Sequence, residues 1–179
     1  MQVNAVLTDD IDQRIDLDGH ADTCVIGQHA LIVHGFNRPV NVLGYDPSKG
    51  IMTPNCRTVS EAVAYDCPII GEVFIIEFRQ AIFIDHLHNN ILCPMQMRMY
   101  GVKVNEIPKY LNENPTYQTH SIVMHEKGET LLIPLHLNGV ISYFASKKPT
   151  MEDCNNCGHF SATAVAPEWD PHYASFLAQ

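Results

Sequence analysis

Carboxylate chemistry is the strongest functional signal in this sequence, and it centres on the stretch Asp18-Gly19-His20-Ala21. The residues before it alternate apolar and polar side chains, as a strand does before a tight loop. A carboxylate in such a loop can activate water as a general base when a second carboxylate shares its proton. The sequence offers one loop of this kind, so a catalytic pair requires two copies of the chain related by a twofold axis.

A second segment supports this interpretation. Residues 81–97 have the pattern of an apolar strand, a polar connection and a helix that opens with Asn90-Ile91-Leu92. The two segments, in this order, resemble retropepsin-like aspartic proteases, which carry a strand-Asp-(Ser/Thr)-Gly-Ala motif and later an apolar strand leading into a helix. The sequence is similar in particular to the protease region of Ty1/copia-type retrotransposon Pol polyproteins. The resemblance covers residues 14–145, with Pro167-Glu168-Trp169-Asp170-Pro171 as a further echo.

This resemblance implies a fold, an activity and partners. The fold would be mostly β, a closed-barrel acid-protease fold with one short helix over about residues 90–100. Asp18 would be the catalytic aspartate, with Gly19, His20 and Ala21 completing its loop. The protein would be a homodimer that needs no cofactor and cleaves its own polyprotein or another extended peptide. Two turns could supply a flap over the substrate, and their candidate residues are Asp66, Cys67 and Pro68, or Asp46, Pro47 and Gly50.

Two residues depart from the family's motif. Gly19 stands where these proteases have Ser or Thr, whose hydroxyl links the two loops across the dimer. His20 stands where they have Gly, and a protonated imidazole there would favour the ionised form of Asp18 over a shared proton. The alternative function is therefore a catalytically inactive retropepsin-like module used for binding or assembly.

Two further interpretations compete with a catalytic loop. Asp18-Gly19 is a common turn pair in β-hairpins, so Asp18 could be a simple turn residue. Cys154 and Cys157, with His159 nearby, have the spacing of half a zinc site, and Asp153 or His172 could complete it. A small zinc-binding β domain is thus a third hypothesis, although a second ligand pair is missing from the sequence and no metal is favoured.

Composition limits the other classes. The chain has 11 basic and 20 acidic residues and a net charge of −9, which argues against a general nucleic-acid binder. Its apolar runs are too short to span a bilayer, and its start lacks the pattern of a secretory signal. We therefore expect an intracellular protein, in the cytoplasm or in virus-like particles, with no membrane partner.

The coarse secondary structure is a series of short strands. Residues 57–65 and 72–79 predict a hairpin, and residues 131–137 and 140–144 predict a second one turning at Asn138-Gly139. The domain organisation predicted is a lead-in over residues 1–13, a β domain over 14–145 and a loosely docked, Pro-containing tail over 146–179.

Overall fold

The protein is built mainly from β-strands, as the alternating patterns predict. The structure is a computed structural model that describes residues 13–43 and 52–172. Its elements, in chain order, are β1 (Arg14–Leu17), β2 (Val25–Ile26), β3 (Leu31–Leu43), β4 (Met52–Asp66), β5 (Val73–Phe83), β6 (Asn90–Leu92), α1 (Pro94–Met99), β7 (Lys103–Asn105), β8 (Ser121–Glu126), β9 (Glu129–Pro134), β10 (His136–Asn138), β11 (Ile141–Ala145), α2 (Met151–Asn156) and β12 (Gly158–Ser161). A short 3-10 turn covers Lys109–Leu111.

One large sheet organises the molecule. Its strands follow the order β10-β11-β1-β6-β2-β5-β4-β3, and β12 pairs with β5 beside this path. A second sheet has the order β7-β8-β9. Within the described residues no pairing joins β3 back to β10, so the predicted closed barrel is wrong. The reason lies in β3 and β4, which continue past the end of β5 as a projecting two-stranded arm instead of curving back to the opposite edge.

The predicted hairpin between residues 57–65 and 72–79 is confirmed as β4 and β5, joined by the connection 67–72. The apolar strand expected at the start of residues 81–97 is instead the end of β5. Gln80 adopts a left-handed backbone conformation (φ 59°) within β5, which interrupts the alternation of side chains and makes one strand look like two in the sequence.

The predicted helix is confirmed but is shorter than residues 90–100. Asn90–Leu92 forms β6, and α1 begins after Cys93, whose Sγ accepts a hydrogen bond from the Gln96 backbone N–H. Pro94 is tolerated in the first turn, where its missing N–H has no intrahelical partner to lose. A second short helix, α2, was not predicted from the sequence, and it starts with a reciprocal capping box between Thr150 and Asp153.

The C-terminal segment is part of the large sheet. β12 runs parallel to β5, with Gly158 opposite Phe74 and Ser161 opposite Glu77. Phe160 is 2% exposed and makes an edge-on ring contact with Phe74. The expectation of a loosely docked tail is therefore wrong for residues 146–172, because burial of Phe160 outweighs the surrounding proline and polar residues.

Candidate active site

The Asp18 loop lies where three strands meet. β1 leads into it, β2 follows it, and β6 pairs with both, in parallel with β1 and antiparallel with β2. Since β6 separates the two flanking strands, the interpretation of Asp18 as a β-hairpin turn is wrong. The strand that fills this position belongs to the second motif, so the two motifs are in contact in the fold.

Backbone hydrogen bonds fix the loop itself. The Asp18 N–H donates to the Leu92 carbonyl at 3.0 Å, and the Ala21 N–H donates to the Asp18 carbonyl at 3.2 Å. The His20 N–H donates to Asp18 Oδ1 at 2.8 Å. The Asp18 side chain remains 49% exposed, so the loop offers a carboxylate to solvent or to another molecule.

Two buried amide side chains hold the second motif against the loop. Gln96, on α1, accepts from the Cys24 N–H at 2.8 Å and donates through Nε2 to the Gln80 carbonyl at 3.3 Å. Asn90, on β6, accepts from the Gly27 N–H at 2.9 Å. Neither role was predicted from the sequence, although a polar side chain inside an apolar strand or helix start is the available signal for such a role.

The two departures from the family's motif are both at the surface. A Cβ added to Gly19 would meet no atom within 4 Å, so the position has room for a side chain. The His20 side chain is 91% exposed, and its Nδ1 lies 3.6 Å from Asp18 Oδ1.

The first flap candidate lies at the wrong end of the sheet. Asp66 and Pro68 line a cavity with Gln13, which precedes β1, whereas Asp18 follows the other end of that strand. Asp66 is also tied to Lys147 by an ion pair of 2.8 Å, and the Cys67 N–H donates to the Glu72 carbonyl at 2.9 Å. This turn is therefore a closed connection and does not overhang Asp18.

The second flap candidate, Asp46, Pro47 and Gly50, lies outside the described residues. Its flanking strands, β3 and β4, form the projecting arm, in which Leu43 pairs with Met52. A cleft of about 500 Å³ runs along β3 and reaches Asp22 and Thr23, which follow the Asp18 loop. The arm therefore lines one side of a cleft that also contacts the residues directly after the candidate catalytic loop.

The proposed zinc ligands are engaged in other interactions. His159 contacts Glu77 Oε1 through Nδ1 at 2.9 Å and the Cys154 carbonyl through Nε2 at 2.8 Å. Cys154 and Cys157 pack against buried apolar residues between α2 and the sheet. Among residues 13–43 and 52–172, no group of three or more His, Cys, Asp or Glu side chains is arranged to hold a metal ion.

Comparison with known proteins gives no family assignment: no protein-family model, curated protein or solved structure matches this chain. In the described part of the chain, no helix is long and apolar enough to cross a membrane.

Proposed function

We propose that this chain is an aspartic endopeptidase domain of a retrotransposon polyprotein, and that it acts as a homodimer in which two Asp18 side chains share one site. The observation that carries the proposal is the contact between its two motifs, in which β6 lies between the strands flanking the Asp18 loop. Two unrelated chance matches in a sequence have no reason to meet in the fold. Their contact supports a common origin for both motifs and for the resemblance built on them.

The loop geometry suits this chemistry. Hydrogen bonds from Asp18 to Leu92 and from Ala21 to Asp18 hold the loop backbone, while the carboxylate stays accessible to a second copy. In the dimer, one ionised carboxylate would remove a proton from water as the water oxygen attacks the peptide carbonyl. The protonated partner would donate its proton to the carbonyl oxygen, and the amine would leave after protonation of its nitrogen.

A non-catalytic binding or assembly module is the second candidate, and the loop itself favours it. Gly19 supplies no hydroxyl to link two loops, and Asp18 Oδ1 already accepts a hydrogen bond from the His20 backbone. Such a module would keep the loop as a scaffold for the neighbouring cleft without hydrolysing what binds there.

A cleavage assay with matched variants separates the two candidates. The purified chain would be incubated with a proteome-derived peptide library, and new peptide ends would be identified by mass spectrometry. The protease proposal predicts cleavage that falls at least about 1,000-fold in Asp18→Asn, since the paired carboxylates are both base and acid. The control is Glu113→Gln, which neutralises an exposed carboxylate outside the large sheet and should cleave like the unmodified chain.

Equal cleavage by Asp18→Asn and the unmodified chain would contradict the catalytic assignment. No cleavage by the unmodified chain, at concentrations where it forms dimers, would support the binding module.

A further inference from the structure

A segment of the chain itself lies along β3 and forms one wall of the cleft there. Residues 167–171, named here the C-terminal strap, contact Arg38 on β3, Gln80 on β5 and the residues that follow the Asp18 loop. We infer that the surface beneath the strap, together with the cleft beside it, is a peptide-binding groove for extended segments with an acidic residue followed by tryptophan, and that the strap occupies part of it in cis. The inference rests on the proposed function in one respect: the peptide that binds would be a segment of the polyprotein.

An arginine recognises the acidic position. The Arg38 guanidinium, on β3, forms an ion pair with the Glu168 carboxylate, and its Nη1 donates to the Trp169 carbonyl at 3.3 Å. The Arg38 side chain is 29% exposed and the Glu168 side chain 70%, so salt screens the pair and its main effect is to orient the segment. Because the same guanidinium contacts both a side chain and the next carbonyl, it sets the register of the bound segment.

The tryptophan position faces the residues after the catalytic loop. The Trp169 indole N–H lies within hydrogen-bond distance of the Asp22 carbonyl at 3.0 Å and of Thr23 Oγ1 at 3.2 Å. An indole combines a large apolar area with one directional donor, which makes it a common anchor in recognition sites. The two residues that bind the Trp169 indole, Asp22 and Thr23, therefore lie within five positions of Asp18 in the sequence.

A buried glutamine contacts the backbone of the strap. Gln80 is 4% exposed, and its Oε1 accepts from the Trp169 N–H at 2.7 Å. Its Nε2 lies 3.0 Å from the Ala164 carbonyl and 2.9 Å from the Pro167 carbonyl. Contacts to backbone groups hold an extended chain whatever its side chains, as binding of a peptide substrate requires.

The Gln80 carbonyl also links the groove to the Asp18 loop. It accepts from Gln96, whose other amide atom accepts from the Cys24 N–H in the segment leaving that loop. The groove and the candidate catalytic loop are thus parts of one hydrogen-bonded network.

The strap leaves open space on both sides. One cavity of about 500 Å³ lies between it and residues 39–43, and another of about 290 Å³ lies beside Phe36 and Val165. A longer peptide therefore has room beyond the strap's own side chains. As a tethered segment at high effective concentration, the strap would compete with any peptide supplied in trans.

The test is binding of a fluorescein-labelled peptide with the sequence of residues 164–171, Ala-Val-Ala-Pro-Glu-Trp-Asp-Pro, to the full chain, measured by fluorescence anisotropy. In Trp169→Ala the tethered strap loses its anchor, so the groove becomes available and the labelled peptide should bind at least about 10-fold more tightly than to the unmodified chain. The matched control is Tyr110→Ala, which removes an aromatic ring that is 76% exposed on the 3-10 turn and should not change peptide binding.

Peptide variants and a second protein variant keep the test decisive. A peptide with Ala in place of Trp, or Gln in place of Glu, should bind more weakly to Trp169→Ala. If Trp169→Ala does not fold, as judged by circular dichroism, Glu168→Gln weakens the strap through the Arg38 ion pair alone and should show a smaller gain. Equal binding to the unmodified and variant chains, or equal binding of the Trp and Ala peptides, would overturn the inference.

The two proposals fail in different ways. Peptide binding needs no cleavage, so Trp169→Ala combined with Asp18→Asn should still bind. Binding without any cleavage would contradict the protease and leave the groove intact. Cleavage that depends on Asp18, without binding of this peptide, would contradict the groove and leave the protease intact.

Discussion

The backbone N–H of Asp18 donates to the carbonyl oxygen of Leu92 at 3.0 Å, and this bond joins the candidate catalytic loop to the strand of the second motif. It extends the parallel pairing of β1 with β6, in which Leu17 lies opposite Leu92. The position of Asp18 is therefore set by a distant part of the chain. Changes in that distant part should affect the loop, and changes in the loop itself should alter chemistry more than folding.

Gln96→Leu should destabilise the fold around the loop. The substitution leaves the buried Cys24 N–H without its acceptor and removes the donor to the Gln80 carbonyl. We expect a loss of about 1–3 kcal/mol in the free energy of unfolding, measured with urea. Gln28→Leu, at an exposed position, is the control and should change the same quantity by less than about 0.5 kcal/mol. Equal effects of the two changes would show that the Gln96 contacts do not support the loop.

Gly19→Ser should restore the missing hydroxyl at little structural cost, because no atom lies within 4 Å of the new Cβ. If two loops meet across a dimer, the added hydroxyl can link them, so the variant should associate more tightly and cleave peptides several-fold faster. Sedimentation equilibrium and the peptide cleavage assay measure the two effects. Gly19→Ala adds the Cβ without the hydroxyl and should leave both unchanged, so the same gain from Ser and Ala would contradict the hydroxyl's role.

Glu61 should make the protein less stable as the pH rises. This carboxylate on β4 is fully buried, and neither oxygen has a hydrogen-bond partner among the described residues. Burial raises the pKa of Glu61 from its ordinary value of 4.5 to about 8, despite the opposing effect of nearby Arg57 and Lys148. Between these two values the folded state holds a proton that the unfolded state has released, so stability falls with rising pH by up to about 1.4 kcal/mol per pH unit.

Urea titrations at several pH values test this expectation. Glu61→Gln cannot ionise, so it should flatten the decline in unfolding free energy between pH 5 and pH 8. Glu113→Gln changes an exposed carboxylate and should keep the slope of the unmodified chain. A slope that survives in Glu61→Gln would assign the pH dependence to other groups.

Local patterns in the sequence predicted those parts of the fold that depend on neighbouring residues. The turn at Asn138-Gly139 is confirmed between β10 and β11, where Gly139 has a φ of 62° that suits glycine. The strand predicted over residues 131–137 is wrong as one element, because Glu129–Pro134 is β9 of the second sheet, and of this stretch only β10 pairs with β11. The hairpin between β8 and β9 was missed, because it turns at Lys127-Gly128 and lysine gives no turn signal despite its φ of 50°.

Contacts between residues far apart in the chain could not be predicted from the local sequence pattern. The local sequence does not identify the partners of Gln80 or Gln96, since both side chains are buried and bond to segments far away in the chain. The position of the strap beside the cleft could not be predicted from the sequence, because it depends on distant contacts with Arg38 and with the residues after Asp18. The closed barrel was an expectation from the family resemblance. It is wrong because, of the strands that the structure describes, β3 pairs only with β4 and ends the sheet as an open edge.

The central claim is that two copies of Asp18 form one catalytic site, and a mixing experiment tests it most directly. Asp18→Asn protein would be exchanged into the unmodified chain at constant total concentration, and the rate of peptide cleavage would be measured across the mixing range. If each site needs both aspartates, the rate falls with the square of the unmodified fraction, to about one quarter at equal amounts. A fall in direct proportion, to about one half, or a rate that does not depend on Asp18, would contradict the shared site.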